Sequence, residues 1–330
     1  MALAGALAAT SAAVAAAAAP VPATAEAAAP VPADGFAPAP SLDRPIDRRS
    51  LLVSFDGERL RDPGGDALRA GSLDVRASTS LAGRVHLDRD GLEAWGLFGQ
   101  AEARAFAVDL PGIAGAARFL YLDLALGLLW APSARDDVWF QGGGFVADQV
   151  SLLGSPELHP HGSVVASHRF DRRLRVLYGF GYDYTFGRGL PLPLLGVDWS
   201  FAPAWSWTTV LPVQSVVTWR GPDGLELGGG ATARGDYYQY EAQEGAARGE
   251  QALSVARIRL GVAARQQLSP STFFRVELGV EGAQVDAGSG RRRAGGAYLD
   301  LALGLGTPSP FEEGRALGAP PVAAPGASGR

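Results

Sequence analysis

The stretch ELHPHGS is the part of this sequence that most resembles a catalytic or metal-binding arrangement. It places Glu157, His159, His161 and Ser163 close together in the chain. A histidine beside a serine could serve as the general base for a nucleophile, and histidines with a glutamate could ligate a metal ion. The spacing matches no specific motif of either kind, and the stretch falls in a predicted external loop. We therefore expect solvated loop residues with no catalytic, cofactor-binding or metal-binding role.

The other two histidines are not placed to complete such a site. His86 falls in the predicted turn GRVHLDRDG, and His168 falls on the outward face of a predicted strand. The chain has no cysteine, which excludes a disulfide framework and a thiol nucleophile. Its net charge of -5 comes without a basic patch, which argues against a nucleic-acid partner. We expect a protein that is not an enzyme and that binds no cofactor.

A second set of chemically capable residues consists of charged side chains that recur at alternate positions of apolar strands. In a closed barrel these side chains would point into the lumen. They could line a water-filled channel and set its selectivity, or they could pair with one another and fill the lumen. The arginines near the C-terminal end of the set face Glu277 and Glu281, and we interpret them as a salt-bridge ladder. The lumen-lining candidates are Arg76, Glu102, Arg104, Asp123, Arg175, Asp183, Asp198, Glu226, Arg257, Arg259, Arg265, Arg275, Glu277, Glu281 and Asp300.

The elements that must position these residues are strands. In RLRVLYGFGYDYTFG (173–187), every second residue is apolar or aromatic, and most residues between them are small or charged. FLYLDLALGLLW (119–130) repeats the pattern, and a period of two predicts a β-strand. Many such runs reach roughly ten to fifteen residues, which suits a strand that crosses a bilayer better than the shorter strands of a soluble sandwich. A soluble β-sandwich adhesin is the other class that alternation allows.

Aromatic residues and loop lengths extend this interpretation. One predicted aromatic belt flanks the short turns and includes Trp139 and Phe273. A second belt at the opposite strand ends includes Tyr238 and Tyr240. Two such belts around an apolar band are typical of transmembrane barrels. Long loops at 148–162, 235–250 and 287–295 fall on one side and short turns on the other, as external loops and periplasmic turns do.

The strand count depends on a tight reversal at Leu211-Pro212-Val213, because proline disfavours an uninterrupted central strand. With that reversal the count is about fourteen, or twelve if residues 51–56 are not a strand and one further strand assignment is wrong. Both chain ends then lie on the periplasmic side. The sequence therefore predicts an all-β protein with a single antiparallel up-and-down transmembrane β-barrel of about 12–14 strands.

The chain ends are predicted to lie outside the barrel. Residues 1–25 are Ala-rich and end in the small-x-small form Ala23-Thr24-Ala25, which indicates an exported protein with a signal peptide. A disordered Ala/Pro tail is the alternative. We expect a disordered Ala/Pro-rich linker at 26–49, the barrel at 50–306 and a disordered tail at 307–330.

The stretch LPLLGVDWSFAPAWSWTTVLP, preceded by YGFGYDYTFG and followed by a Gly-rich final strand, resembles Gram-negative outer-membrane β-barrel proteins. It is most similar to an uncharacterised family with a PLLG-V-x-W segment, and the likeness covers most of 51–306. The final strand departs from the pattern because it ends at Leu305-Gly306 and not at an aromatic residue. The resemblance implies an outer-membrane location, with membrane lipid and the barrel assembly machinery as partners.

The resemblance implies no reaction, so function depends on the lumen. One hypothesis is a passive channel or porin-like transporter for small solutes. The alternative is a plugged structural or surface-binding barrel without transport. An outer-membrane hydrolase is the third possibility, and ELHPHGS is the stretch on which it would depend.

Overall fold

The chain folds into a closed antiparallel β-barrel of 14 strands. A computed structural model describes residues 42–45, 49–61, 67–87, 92–110, 115–152, 156–242, 249–287 and 290–306. The strands are β1 (Leu42–Pro45), β2 (Arg49–Arg61), β3 (Ala67–Leu87), β4 (Leu92–Leu110), β5 (Gly115–Ala131), β6 (Asp136–Gln149), β7 (His159–Arg169), β8 (Leu174–Asp183), β9 (Leu190–Ala202), β10 (Trp205–Leu211), β11 (Gln214–Arg220), β12 (Leu225–Ala242), β13 (Gly249–Ser269), β14 (Thr272–Ala287) and β15 (Gly290–Gly306).

The barrel closes between its first and last long strands. Each strand from β2 to β15 pairs with its neighbours in sequence, and β15 pairs with β2 from Gly295↔Arg61 to Gly306↔Ser50. We call the end that holds Ser50 and Gly306 the terminal end, and the opposite end the distal end. The prediction that both chain ends leave the barrel at one end is therefore confirmed.

The short strand β1 extends the line of β2 along β3, with Leu42 opposite Leu87. It lies inside the predicted linker 26–49, so the expectation of disorder was wrong for these four residues. The predicted signal peptide and the tail at 307–330 lie outside the described residues.

The alternation predicted from the sequence sets the two faces of the wall. Leu124 is 70% exposed and its neighbour Ala125 is 7% exposed, so consecutive residues of β5 point outward and inward. Phe180 on β8 is likewise exposed, and Leu177 is buried. At these mid-strand positions the outer surface is therefore apolar, and the charged residues predicted to line the lumen face the interior. Among the described residues, no helix is long and apolar enough to cross a membrane.

One aromatic belt forms as predicted, near the terminal end. Its outward rings are Trp95, Trp130, Phe140, Phe170, Trp199, Phe201, Trp205 and Phe274. Four residues assigned to belts were placed wrongly, because Trp139, Phe273, Tyr238 and Tyr240 are buried inside the barrel. Their position along a strand suited a belt, but the strand's alternation turns them inward.

The wall is uneven because the β10–β11 hairpin is short. Leu211 and Gln214 flank a turn at Pro212-Val213, as predicted, and each strand of this hairpin has seven residues. On β9, residues 190–194 extend beyond the last pair that β9 makes with β10. Beyond Thr232, β12 extends past the end of β11, and its Gln239 forms a parallel bridge with Asp148 of β6. The distal part of β12 therefore crosses the interior to reach β6.

Strands continue into segments that were predicted as loops. In the predicted loop at 148–162, His159 and the residues after it belong to β7. The predicted loop at 235–250 loses its first residues to β12, which runs to Ala242. His86 lies in β3 and not in a turn. The reason is that backbone hydrogen bonds continue the strands beyond the last residues that alternate between apolar and polar in the sequence.

The turn between β7 and β8 shows how the terminal end is held. The Asp171 carboxylate accepts hydrogen bonds from the backbone N–H groups of Arg173, at 2.6 Å, and Leu174, at 2.8 Å. Because these bonds favour the ionised form, they hold the pKa of Asp171 below its ordinary value. Close by, His168 Nδ1 lies 2.7 Å from Asp136 Oδ1 on the neighbouring strand.

Candidate functional site

The centre of the barrel holds a network of paired charges that connects strands from opposite sides of the interior. We call it the central network. Its side chains occupy alternate positions on β2, β3, β4, β12, β13 and β14. Each of these side chains therefore points inward. Its members are Asp56, Glu58, Asp74, Arg76, Glu102, Arg104, Arg234, Asp236, Arg257, Arg259 and Glu281.

Arg104 connects three strands within this network. Its guanidinium lies 2.7 Å from Asp74 on β3, 2.8 Å from Glu102 on its own strand, and in contact with Asp236 on β12. Arg76 also pairs with Glu102, at 2.8 Å. Because β4 and β12 are not neighbours in the wall, the pair between Arg104 and Asp236 spans the interior.

The arginines of β13 complete the network on the other side. Arg257 lies 3.3 Å from Glu58 and 3.2 Å from Glu281, and it also contacts Asp236. Arg259 lies 2.6 Å from Glu58 and 2.7 Å from Asp56, and it also contacts Glu281. Arg234 of β12 reaches Asp56 at 3.0 Å. These charges are paired several times over, which is the arrangement that buried ions require.

An apolar cluster lies in the interior on the distal side of the central network. We call it the distal cluster. Tyr238 of β12 is fully buried and stacks on Phe106 of β4, with ring centroids 5.2 Å apart. Phe119 of β5 packs against the same tyrosine at 4.8 Å. The cluster comprises Phe106, Val108, Ala117, Phe119, Phe145, Ala147, Tyr238, Tyr240, Leu253, Val255 and Val285.

A second apolar cluster lines the interior beside the short hairpin. Trp139 of β6 is fully buried and lies 5.5 Å from Phe98, measured between ring centroids. Leu194 of β9 and Val213 of the hairpin turn belong to the same cluster. This cluster fills the interior beside β10 and β11, the seven-residue strands of the wall. Its members are Phe98, Trp139, Val165, Leu177, Leu192, Leu194, Val210 and Val213.

A polar cavity of about 140 Å³ lies beside the central network. His161 and Asp123 line it, and His161 Nε2 lies 2.9 Å from Asp123 Oδ1. His159, two residues earlier, is buried against the rings of Phe145 and Tyr237. The expectation that these histidines are solvated loop residues was therefore wrong, because β7 begins at His159 and turns both side chains inward.

The remaining predicted lumen residues also contact polar groups. Arg175 lies 2.5 Å from Asp137, and Arg275 lies 3.0 Å from Asp300. The predicted ladder is correct for Glu281 but not for Glu277, which accepts a hydrogen bond from Tyr298. The other contacts are Arg265 with Glu226 at 3.2 Å, Tyr298 with Glu277 at 2.8 Å, Thr208 with Asp198 at 3.3 Å and Thr185 with Asp183 at 2.6 Å.

Several network residues were missed from the sequence. Asp56 and Glu58 lie in a β2 segment without strong apolar alternation, and Asp236 lies in the predicted loop GDYYQYEAQEGAARGE. The signal that could have found them is spacing, because Asp56 and Glu58 are two residues apart, as are Arg234 and Asp236. Such pairs on one face of a strand are what an inward charged row requires.

What this arrangement can do chemically is hold the wall together. Among the residues that the structure describes, no group of three or more histidine, aspartate or glutamate side chains is arranged to hold a metal ion. The arginines and carboxylates interact mainly with one another, which is typical of a structural network.

Comparisons with known proteins add only fold similarity. No protein-family model and no curated protein matches the chain. The deltaS2 mutant of the TodX monoaromatic hydrocarbon channel shares 9% identity over 82% of this chain and 91% of its own, with a TM-score of 0.38. An outer membrane channel from Pseudomonas putida F1 shares 12% identity over 83% and 99%, with a TM-score of 0.36. OpdQ from Pseudomonas aeruginosa shares 10% identity over 79% and 99%, with a TM-score of 0.31. The barrel is defined by the strand pairing of this chain.

Proposed function

We propose that this protein is an outer-membrane β-barrel whose lumen is closed at rest by the central network and the distal cluster. The membrane location is supported by the apolar outer surface and the belt of outward rings at the terminal end. Ile258 and Leu124, for example, are 65% and 70% exposed, which in water would leave a large apolar surface uncovered. We further propose that both chain ends are periplasmic, so that the distal end faces outward from the cell.

The observation that carries the closed lumen is the set of side-chain contacts between β4 and β12 across the interior. Arg104 contacts Asp236 there, and two residues further toward the distal end on each strand Phe106 stacks on Tyr238. A 14-stranded barrel encloses a wide lumen if its section is round. In this barrel the inward path of β12 brings opposite walls together and narrows the lumen.

Conductance in planar bilayers tests this proposal. We expect the folded wild-type protein to give no stepwise current. A variant with Arg104→Ala, Phe106→Ala and Tyr238→Ala removes the contacts between β4 and β12, and we expect it to give stepwise currents. The matched control is Tyr178→Ala with Phe180→Ala, which truncates two outward rings and should remain silent.

A passive, porin-like channel for small solutes is the second candidate. The polar cavity beside His161 favours it, because water and small solutes need such a lining to enter the lumen. Stepwise currents from the wild-type protein would select this candidate and reject a lumen that is closed at rest.

Export and location have their own test. Fractionation of cells should recover the protein with the outer membrane, and an unheated sample should migrate differently from a boiled one in a denaturing gel. N-terminal sequencing of the mature protein should begin at Glu26 if the signal peptide ends at Ala25. Recovery as a soluble periplasmic protein would reject the membrane proposal.

A further inference from the structure

A groove of about 730 Å³ lies on the outer surface near the distal end. Its floor is the outer face of β13, β14 and β15, and the connection between β8 and β9 forms one side. Asp286 lies opposite Arg291, and Gln284 lies opposite Arg293. The interposed Val285 is buried in the distal cluster, so these arginines point outward.

The connection between β8 and β9 packs closely against this surface. Gly187 has φ of 72°, and a Cβ atom there would collide with Ser254 Oγ on β13. A Cβ atom on Gly235 of β12 would likewise collide with the carbonyl oxygens of Tyr184 and Thr185. The connection therefore lies directly on the wall and brings the exposed Arg188 to the groove.

The groove combines an apolar rim with basic groups. Ile258, at 65% exposed, lines the groove on the side toward the middle of the barrel. Arg291 is paired with Asp286 at 2.6 Å. Arg188 and Arg293 have no carboxylate partner among the residues that the structure describes. An arginine without a partner beside an apolar surface is suited to a ligand that carries both phosphate and acyl chains.

We propose that this groove binds a phosphate-bearing lipid of the lipid A type, with its phosphates at Arg188 and Arg293 and an acyl chain along the rim at Ile258. The assignment to this lipid rests on the proposed function, which places the distal end in the outer leaflet. Charge complementarity selects the phosphorylated headgroup, and the apolar rim selects a lipid over free phosphate.

Binding to the full chain in detergent micelles tests the proposal, with lipid A as the probe. We expect Arg188→Ala with Arg293→Ala to weaken binding about thirtyfold, because each basic residue near a membrane surface contributes roughly fivefold in affinity. Arg188→Lys with Arg293→Lys should retain most of the affinity. The matched control is Arg172→Ala with Arg173→Ala, which removes two exposed arginines from a terminal-end turn and should leave binding unchanged.

Three results would overturn the proposal. The first is unchanged binding by the groove variant when the gel shift shows that it is folded. The second is equal binding of lipid A and its dephosphorylated form. The third is complete displacement of lipid A by millimolar inorganic phosphate, which would assign the groove to the free anion. Outer-membrane fractionation separates this inference from the proposed function, because a correctly located barrel with unchanged variant binding rejects the lipid site alone.

Discussion

Replacing Arg104 with methionine should lower the free energy of unfolding by about 3 to 5 kcal/mol, the usual cost of removing one partner from a buried ion pair. Methionine has an unbranched side chain and can occupy much of the same space without the charge. The substitution removes a cation that lies 2.7 Å from Asp74 and 2.8 Å from Glu102 and that also contacts Asp236. Asp74 is the most affected of the three, because its carboxylate is 1% exposed and is therefore the most shielded from water.

Adding Asp74→Asn to Arg104→Met should recover part of the loss, because it removes the buried negative charge that Arg104 contacts at 2.7 Å. Coupling between contacting residues is typically about 0.5 to 3 kcal/mol. The matched control is Arg220→Met. Arg220 also pairs with a carboxylate, Glu226, but the distance is 3.4 Å and the two side chains are 40% and 30% exposed. The control should cost under about 1 kcal/mol.

Equilibrium unfolding by denaturant measures these values for the full chain refolded into phospholipid vesicles. Tryptophan fluorescence follows unfolding, and the gel shift of unheated samples gives the folded fraction independently. If Arg104→Met cost no more than Arg220→Met, the central network would be a weak, hydrated set of contacts. Strictly additive losses from Arg104→Met and Asp74→Asn would likewise refute the pairing.

Three further predictions concern the outer face, the distal cluster and a turn. Leu124→Arg should lower the free energy of unfolding in vesicles by about 2 to 4 kcal/mol. Leu158 is similarly exposed but lies in the β6–β7 connection, so Leu158→Arg should cost little. Equal costs would show that no bilayer surrounds Leu124. Tyr238→Ala should cost about 3 to 5 kcal/mol because it leaves a cavity beside Phe106, and a loss below 1 kcal/mol in the same titration would mean that the cluster is loosely packed. Ionised Asp171 should stabilise the folded barrel at neutral pH. Because the pKa of Asp171 is depressed in the folded state, this stabilisation should be lost as the pH falls below the ordinary aspartate pKa of 3.8. Asp171→Ala should remove that part of the pH dependence, which unfolding at pH 7 and pH 3 would detect.

The sequence was sufficient for the wall of the barrel because alternation is a local property. In β5, for example, the identities of Leu124 and Ala125 already indicate which side chain meets lipid and which faces inward. The proline at the β10–β11 reversal was equally informative, since a proline limits where a strand can continue. These features predicted a barrel of about 12–14 strands and the direction of the inward charges.

The contacts inside the barrel could not be read in the same way. Arg104 and Asp236 are 132 positions apart, and their contact depends on the shape of the barrel in cross-section. Alternation indicates that a side chain points inward, but it does not indicate which opposite strand comes within reach. The belt assignment of Tyr238 failed for this reason, because an aromatic residue near a strand end suits both an outward belt and an inward plug.

The closure of β15 on β2 limits how this fold can change during evolution. With β15 deleted, the next strand to meet β2 would be β14, and both run from the terminal end to the distal end. Their pairing would have to be parallel, unlike every ladder between neighbouring strands of the present wall. Gain or loss of one strand therefore breaks the closing seam, whereas gain or loss of a hairpin preserves it. The heritable unit of size in such a barrel is two strands, and relatives of different diameter should differ by whole hairpins.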